Sequence, residues 1–176
     1  MAKVLSTKTI YNGKVINLYF DEVEHNGMLL KREVVRHRGG AAVLAERDGK
    51  FAFVRQYRHP FGEDFFEIPA GTKDGGEKGE TTAYRELQEE CGLKADFLTF
   101  ICDYAVSPGY TDEVLSLFYA NNFTDVAQSL DEDESLSIEW LSVEESLQMA
   151  LSGKIKDGKT LVALLWYNAV RANKAN

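Results

Sequence analysis

Three dipeptides punctuate the first part of the chain: Asn12-Gly13, Asn26-Gly27 and Asp48-Gly49. Asn and Asp tolerate the left-handed backbone region and glycine enters it freely. Such a pair between two extended runs therefore makes the tight turn whose twist suits paired strands. The flanking runs KVINLYFDEVEH, MLLKREVVRH, AAVLAE and FAFVRQY are rich in β-branched and aromatic residues, the side chains that pack well on a pleated surface. The chain is thus committed to antiparallel β structure at its start. Residues 1–38 read as a small N-terminal antiparallel lobe, and RHRGG as a linker in which Gly39 and Gly40 permit a bend. A second domain then covers 39–176.

Helical periodicity first appears over 79–91. There Ala83, Tyr84, Leu87 and Cys91 fall within about 100° of arc, an apolar stripe fit for a core. Gly92 stands where a left-handed C-terminal cap belongs. Extended runs return in FLTFICDYAV, EVLSLFYANN and LSIEWL. Ser142 with Glu145 matches a capping box that opens a helix running to about Ser152. The final segment KTLVALLWYNAVRAN is apolar enough to predict a largely buried helix. Strands mixed with three helices imply an α/β sandwich.

Composition narrows the partners. A net charge of −8 argues against nucleic acid, which requires a basic face. It leaves room for a phosphorylated small molecule bridged to the protein by divalent cations. No run approaches the roughly 18 apolar residues of a membrane span. The start, MAKVLSTKTIYNG, has no continuous apolar core of a secretory signal, so a cytoplasmic protein is expected. Cys91 and Cys102 are the only cysteines, too few for a disulfide framework.

The stretch GTKDGGEKGETTAYRELQEECGL carries the chemistry. On a helical wheel Glu86 and Glu90 lie about 40° apart, and Glu89 lies about 60° from Glu86 on the other side. Three carboxylates within one turn repel one another, and no lysine at i+4 relieves them. Such a cluster is either a solvated helix face or a platform for hard divalent cations, which prefer oxygen ligands. Gly71, Glu77 and the run from Arg85 to Leu93 match every defined position of the Nudix box. The chain is similar to Nudix hydrolases over most of its length. That resemblance implies an α/β/α sandwich with a mixed sheet behind the N-terminal β lobe. It also implies Mg²⁺, or Mn²⁺ in its place, held against a diphosphate. Glu86 and Glu90 match the principal metal ligands, Glu89 a further ligand, and Ala70 the residue whose backbone carbonyl completes the coordination. Arg85 matches the arginine that orients the glutamates, and Glu77 a supporting box glutamate.

Residues outside the box resemble the ADP-ribose pyrophosphatase branch. They are KREVVRH in the lobe, VRQYR, EIPAG, and SPGYTDE with Pro108 placed 15 residues beyond Leu93. The substrate implied is ADP-ribose or a related nucleoside diphosphate sugar; a hexose sugar nucleotide and a non-catalytic sensor of such ligands are the alternatives. A homodimer is also implied, in which Arg32 and Glu33 reach the substrate across the interface while Arg58 and Glu113 contact it from the same chain. In the acidic run LDEDESLSIEW, Glu132 is the nearest match to the general base and Glu134 the next. Finally, GKIKDGKT literally satisfies the phosphate-loop pattern. It follows a capped helix rather than a buried strand, so it reads as a turn in which Asp157 or Thr160 caps the last helix.

Overall fold

The computed structural model describes residues 2–130 and 135–174. The chain divides into two compact units, Met1–Gly39 with Ala105–Val114, and Gly40–Tyr104 with Leu115–Asn176.

In the first unit β1 (Lys3–Asn12), β2 (Asn17–His25) and β3 (Met28–Arg36) form an antiparallel sheet in that order. At Asn26-Gly27 the expected turn is present: φ is 53° and 75°, and His25 pairs with Met28. At Asn12-Gly13 it is not. Neither residue has positive φ, Asn12 pairs with Asn17, and the Gly13 N–H donates to the Ile16 carbonyl at 3.0 Å. The connection is longer because KVI, read as strand from sequence, supplies the turn. The segment 105–114, which the sequence assigns to the later domain, belongs to this unit. The Val35 N–H donates to the Tyr110 carbonyl at 2.8 Å, and Asp112 accepts from the His37 N–H at 2.9 Å. Every residue of β1 is exposed, so the sheet buries little of its own apolar surface.

The second unit is a three-layer sandwich. Its sheet runs β12 (Leu136–Ser142), β5 (Lys50–Arg58), β4 (Gly40–Arg47), β10 (Val114–Ala120) and β9 (Thr99–Ala105). The strands β6 (Glu63–Glu67) and β7 (Ala70–Thr72) attach to β5 and β4. Strand β10 is parallel to β4, while β5 pairs antiparallel with β12, β4 and β6, and β7 with β4, so the sheet is mixed as expected. The Asp48-Gly49 turn joins β4 to β5 with φ of 51° and 71°. Alternation sorts β4 between two cores. Ala41, Val43 and Ala45 pack with Ala83, Leu87 and Cys91 of α1 (Gly79–Cys91). Ala42 and Leu44 pack with Val143 and Met149 of α2 (Val143–Leu151), and with Ala163 and Leu164 of α3 (Gly158–Lys174). The last helix is less buried than its composition suggests: Leu165 is 69% exposed because one face alone meets the sheet. A two-stranded ribbon, β8 (Leu93–Ala95) with β11 (Phe123–Asp125), completes the unit. No helix among the described residues is long and apolar enough to cross a membrane.

Candidate active site

Helix α1 and strand β7 build the site together. The helix ends where expected: Gly92 has φ of 62°, and its N–H donates to the carbonyls of Gln88 and Leu87. A Cβ there would lie 2.7 Å from the Val126 carbonyl oxygen. Burying Ala83, Leu87 and Cys91 against β4 turns Glu86 and Glu90 inward, leaving them 7% and 2% exposed. They meet β7. The Ala70 N–H donates to Glu90 Oε2 at 2.8 Å. Gly71 lies so close to Glu86 that a Cβ would overlap its carboxylate. Glycine is required here by space rather than by φ.

Arg85 gathers the remaining acids. Its guanidinium donates to Glu86 Oε1 at 2.7 Å, Glu89 Oε2 at 2.9 Å, Glu77 Oε2 at 3.3 Å and the Thr72 carbonyl at 3.0 Å. Burial alone would lower the Arg85 pKa, but its bonds to Glu77 and Glu89 and the charge of Glu86 raise it further above its usual value. Glu77 also accepts from the Asp74 N–H and Thr82 Oγ1. The Asp74 amide, then Arg85 and Thr82, hold its carboxyl below the usual range.

Ala70, Arg85, Glu86, Glu89 and Glu90 are therefore brought together. Among the described residues no three acidic, His or Cys side chains already stand as a metal-holding group, because Glu86 and Glu89 are drawn to Arg85. The donors nonetheless suit a hard divalent cation: three carboxylates on one helix, two of them buried, against a strand whose missing Cβ leaves them room.

The other expected residues stand on other elements. Arg58 donates to Glu67 through Nε at 2.5 Å and Nη2 at 2.7 Å, a fork that commits two sides of its guanidinium. Arg32 and Glu33 are exposed on β3, opposite Asp21 and Phe20. Pro108 sits in an exposed turn, and Glu113 Oε1 lies 3.5 Å from His37 Nδ1. Arg32, Glu33, Pro108 and Glu113 belong to the first unit, Arg58 to the second. The first unit also holds a cationic concavity of about 680 Å³, lined by Lys14, Tyr19, Arg36, His37, Arg38 and Asp112 among others. Glu132 and Glu134 lie outside the described residues.

Sequence reasoning missed the buried pair of Glu67 and Lys159, and gave Thr160 no role beyond a possible helix cap. Glu67 is 2% exposed and accepts from both Arg58 and Lys159 Nζ. Asp157 caps α3, accepting from the Thr160 N–H at 3.0 Å and from Lys159 Nζ at 3.0 Å. Lys159, the lysine that the phosphate-loop pattern requires, is only 7% exposed and faces carboxylates rather than an open loop.

Known proteins resemble this chain over nearly its whole length. The chain is 40% identical to an ADP-ribose pyrophosphatase of Bacillus subtilis (strain 168), over 98% of this chain and 96% of that protein. It is 38% identical to a methanol dehydrogenase activator of Bacillus methanolicus, over 98% and 95% of the two chains. The crystal structure of an ADP compounds hydrolase superposes with a TM-score of 0.84, covering 98% of this chain and 95% of that one, at 19% identity. This last match speaks for the fold alone. The NUDIX domain signature matches residues 35–164, enclosing the complete box. The chain belongs to the NUDIX domain family.

Proposed function

We propose that this protein is a Mg²⁺-dependent pyrophosphatase that splits ADP-ribose, or a related nucleoside diphosphate sugar, into a nucleoside monophosphate and a sugar phosphate. One observation carries the reading: the buried carboxylates of Glu86 and Glu90 pressed against Ala70 and Gly71, with Arg85 holding Glu89 beside them. Glu86, Glu89, Glu90 and the Ala70 carbonyl are the groups that would hold Mg²⁺, with Mn²⁺ as a substitute. When bound, the cation neutralises the diphosphate oxygens, polarises phosphorus and lowers the pKa of water. Arg85 keeps Glu86 and Glu89 aimed, and Glu77 braces Arg85 from the far side. Glu132, or as second match Glu134, takes the proton of the attacking water. If neither Glu132→Gln nor Glu134→Gln slows turnover, that assignment falls.

Substrate recognition falls to Arg58, Pro108 and Glu113, with the partner subunit's Arg32 and Glu33. The homodimer this requires is supported by the apolar residues exposed in the first unit: Val4, Leu5, Ile10, Tyr11 and Val15 are each about half exposed or more. So many large apolar side chains left exposed on one short stretch suit an association surface. The free thiols of Cys91 and Cys102 support a reducing compartment such as the cytoplasm.

The relatedness to a methanol dehydrogenase activator favours a second reading, in which the chain acts on a dehydrogenase. A hydrolysis panel separates the readings. ADP-ribose, several hexose sugar nucleotides, a dinucleotide cofactor and a nucleoside triphosphate are offered with Mg²⁺, products are identified, and methanol dehydrogenase turnover is followed as a separate arm. The highest kcat/KM is expected for ADP-ribose, giving AMP and ribose 5-phosphate. A hexose nucleotide ranking first moves the substrate to the sibling group. Tight binding without turnover replaces the enzyme with a sensor.

A further inference from the structure

The phosphate-loop pattern, whose final lysine faces carboxylates, still has a place in this fold. Its last two residues, Lys159 and Thr160, begin α3, and both reach the segment Glu67–Gly71 that walls the carboxylate site. Thr160 Oγ1 accepts from the Ile68 N–H at 2.9 Å and donates to Asp157 Oδ2 at 2.5 Å. Lys159 Nζ donates to Glu67 and Asp157, and Arg58 forks onto Glu67 from the other side. The Val43 N–H donates to the Pro69 carbonyl at 3.0 Å. Immediately afterwards come Ala70, bonded to Glu90, and Gly71, in contact with Glu86.

Stability alone is a poor explanation for this arrangement. Glu67, Lys159 and Thr160 are almost fully buried beside Ile68, Ile155, Ala163 and Leu164. Ionic groups in such surroundings are commonly replaceable by apolar residues without loss. What they supply is direction. The fork from Arg58, the ammonium of Lys159 and the hydroxyl of Thr160 fix two successive residues, Glu67 and Ile68, in position and rotation. The backbone leaving them has only Pro69, itself pinned to β4, before it reaches the site.

We infer that Lys159 and Thr160 are positioning residues for the divalent-cation site, acting from α3 through Glu67 and Ile68 to fix Ala70 and Gly71 against Glu90 and Glu86. The inference rests on the metal-site reading above. Groups that orient metal ligands from behind typically change affinity by about tenfold or more when removed.

The test is direct Mn²⁺ binding to the substrate-free protein, measured by calorimetry, with Glu90→Gln as the control for the site. Thr160→Val keeps the shape and removes the hydroxyl, and Thr160→Ser restores it. Lys159→Met, the harsher change, is measured beside them, with folding followed by circular dichroism. Thr160→Val is expected to weaken Mn²⁺ binding about tenfold with its spectrum unchanged, while Thr160→Ser binds like wild type. In turnover assays its activity should return as Mg²⁺ is raised. Wild-type Mn²⁺ affinity in folded Thr160→Val, with binding lost in Glu90→Gln, overturns the inference and leaves the metal site standing. If Thr160→Val does not fold, folded Lys159→Met takes its place, and wild-type affinity there overturns the inference equally. Absence of Mn²⁺ binding in the wild type overturns both.

Discussion

At the scale of residues, the site depends on one close approach and one buried charge cluster. Gly71→Ala places a methyl group on the Glu86 carboxylate. It should lower kcat by at least tenfold, the scale on which small misplacements act, while the melting temperature barely moves. A fully active Gly71→Ala would mean that Glu86 is not held where the structure puts it. Glu67 makes a prediction about pH. Burial would raise its pKa, but the bonds and charges of Arg58 and Lys159 outweigh this and hold it below the ordinary 4.5. A carboxyl depressed in the folded state contributes its full stability above the unfolded value and loses it as pH falls through the lower folded value. At neutral pH, Glu67→Gln should therefore cost about 3–5 kcal/mol, as for any buried pair left with one partner. The gap between variant and wild type should narrow below pH 4.5, as thermal melts across an acid series will show. A constant gap would mean that the carboxylate's charge is not what matters. The glutamates of α1 were legible because four-residue spacing on a helix is enough to converge them. The Glu67–Lys159 pair was not, since its members stand 92 positions apart and only the fold brings them together.

At the scale of elements, the helices repeat what their sequences announce. Ser142 Oγ accepts from the Glu145 N–H at 3.1 Å, the forward half of the capping box. Ser142→Ala should cost about 1 kcal/mol by chemical denaturation; no measurable loss would show that α2 is held by packing alone. Helix α1 spans the residues its apolar stripe indicates, and Gly92 ends it. The turns Asn26-Gly27 and Asp48-Gly49 were legible for the same reason, since local chemistry decides them. Where pairing is long-range the sequence is silent. Strands β7, β8 and β11 have three residues each, too few to display a period. They exist because Ala42, Ala95 and their neighbours offer an edge. Asn12-Gly13 misled because a favourable dipeptide does not compel a two-residue turn when the register places Asn12 opposite Asn17.

At the scale of the whole molecule, an acidic protein with a net charge of −8 handles an anionic substrate. Divalent cations between the two would make that workable, which is why the carboxylates are central rather than an obstacle. The exposed apolar surface of the first unit sets a further expectation. If the partner subunit completes the substrate pocket, specific activity should fall on dilution below the dimer's dissociation constant, and dimer and activity should fade together in sedimentation and rate measurements. Activity that survives in a demonstrated monomer would remove the shared pocket. The decisive measurement is the rate of ADP-ribose cleavage in wild type and in Glu90→Gln at saturating Mg²⁺. Wild type should give AMP and ribose 5-phosphate, and the variant should be slower by orders of magnitude with its melting temperature preserved. Equal turnover in the two proteins would contradict the metal-site reading.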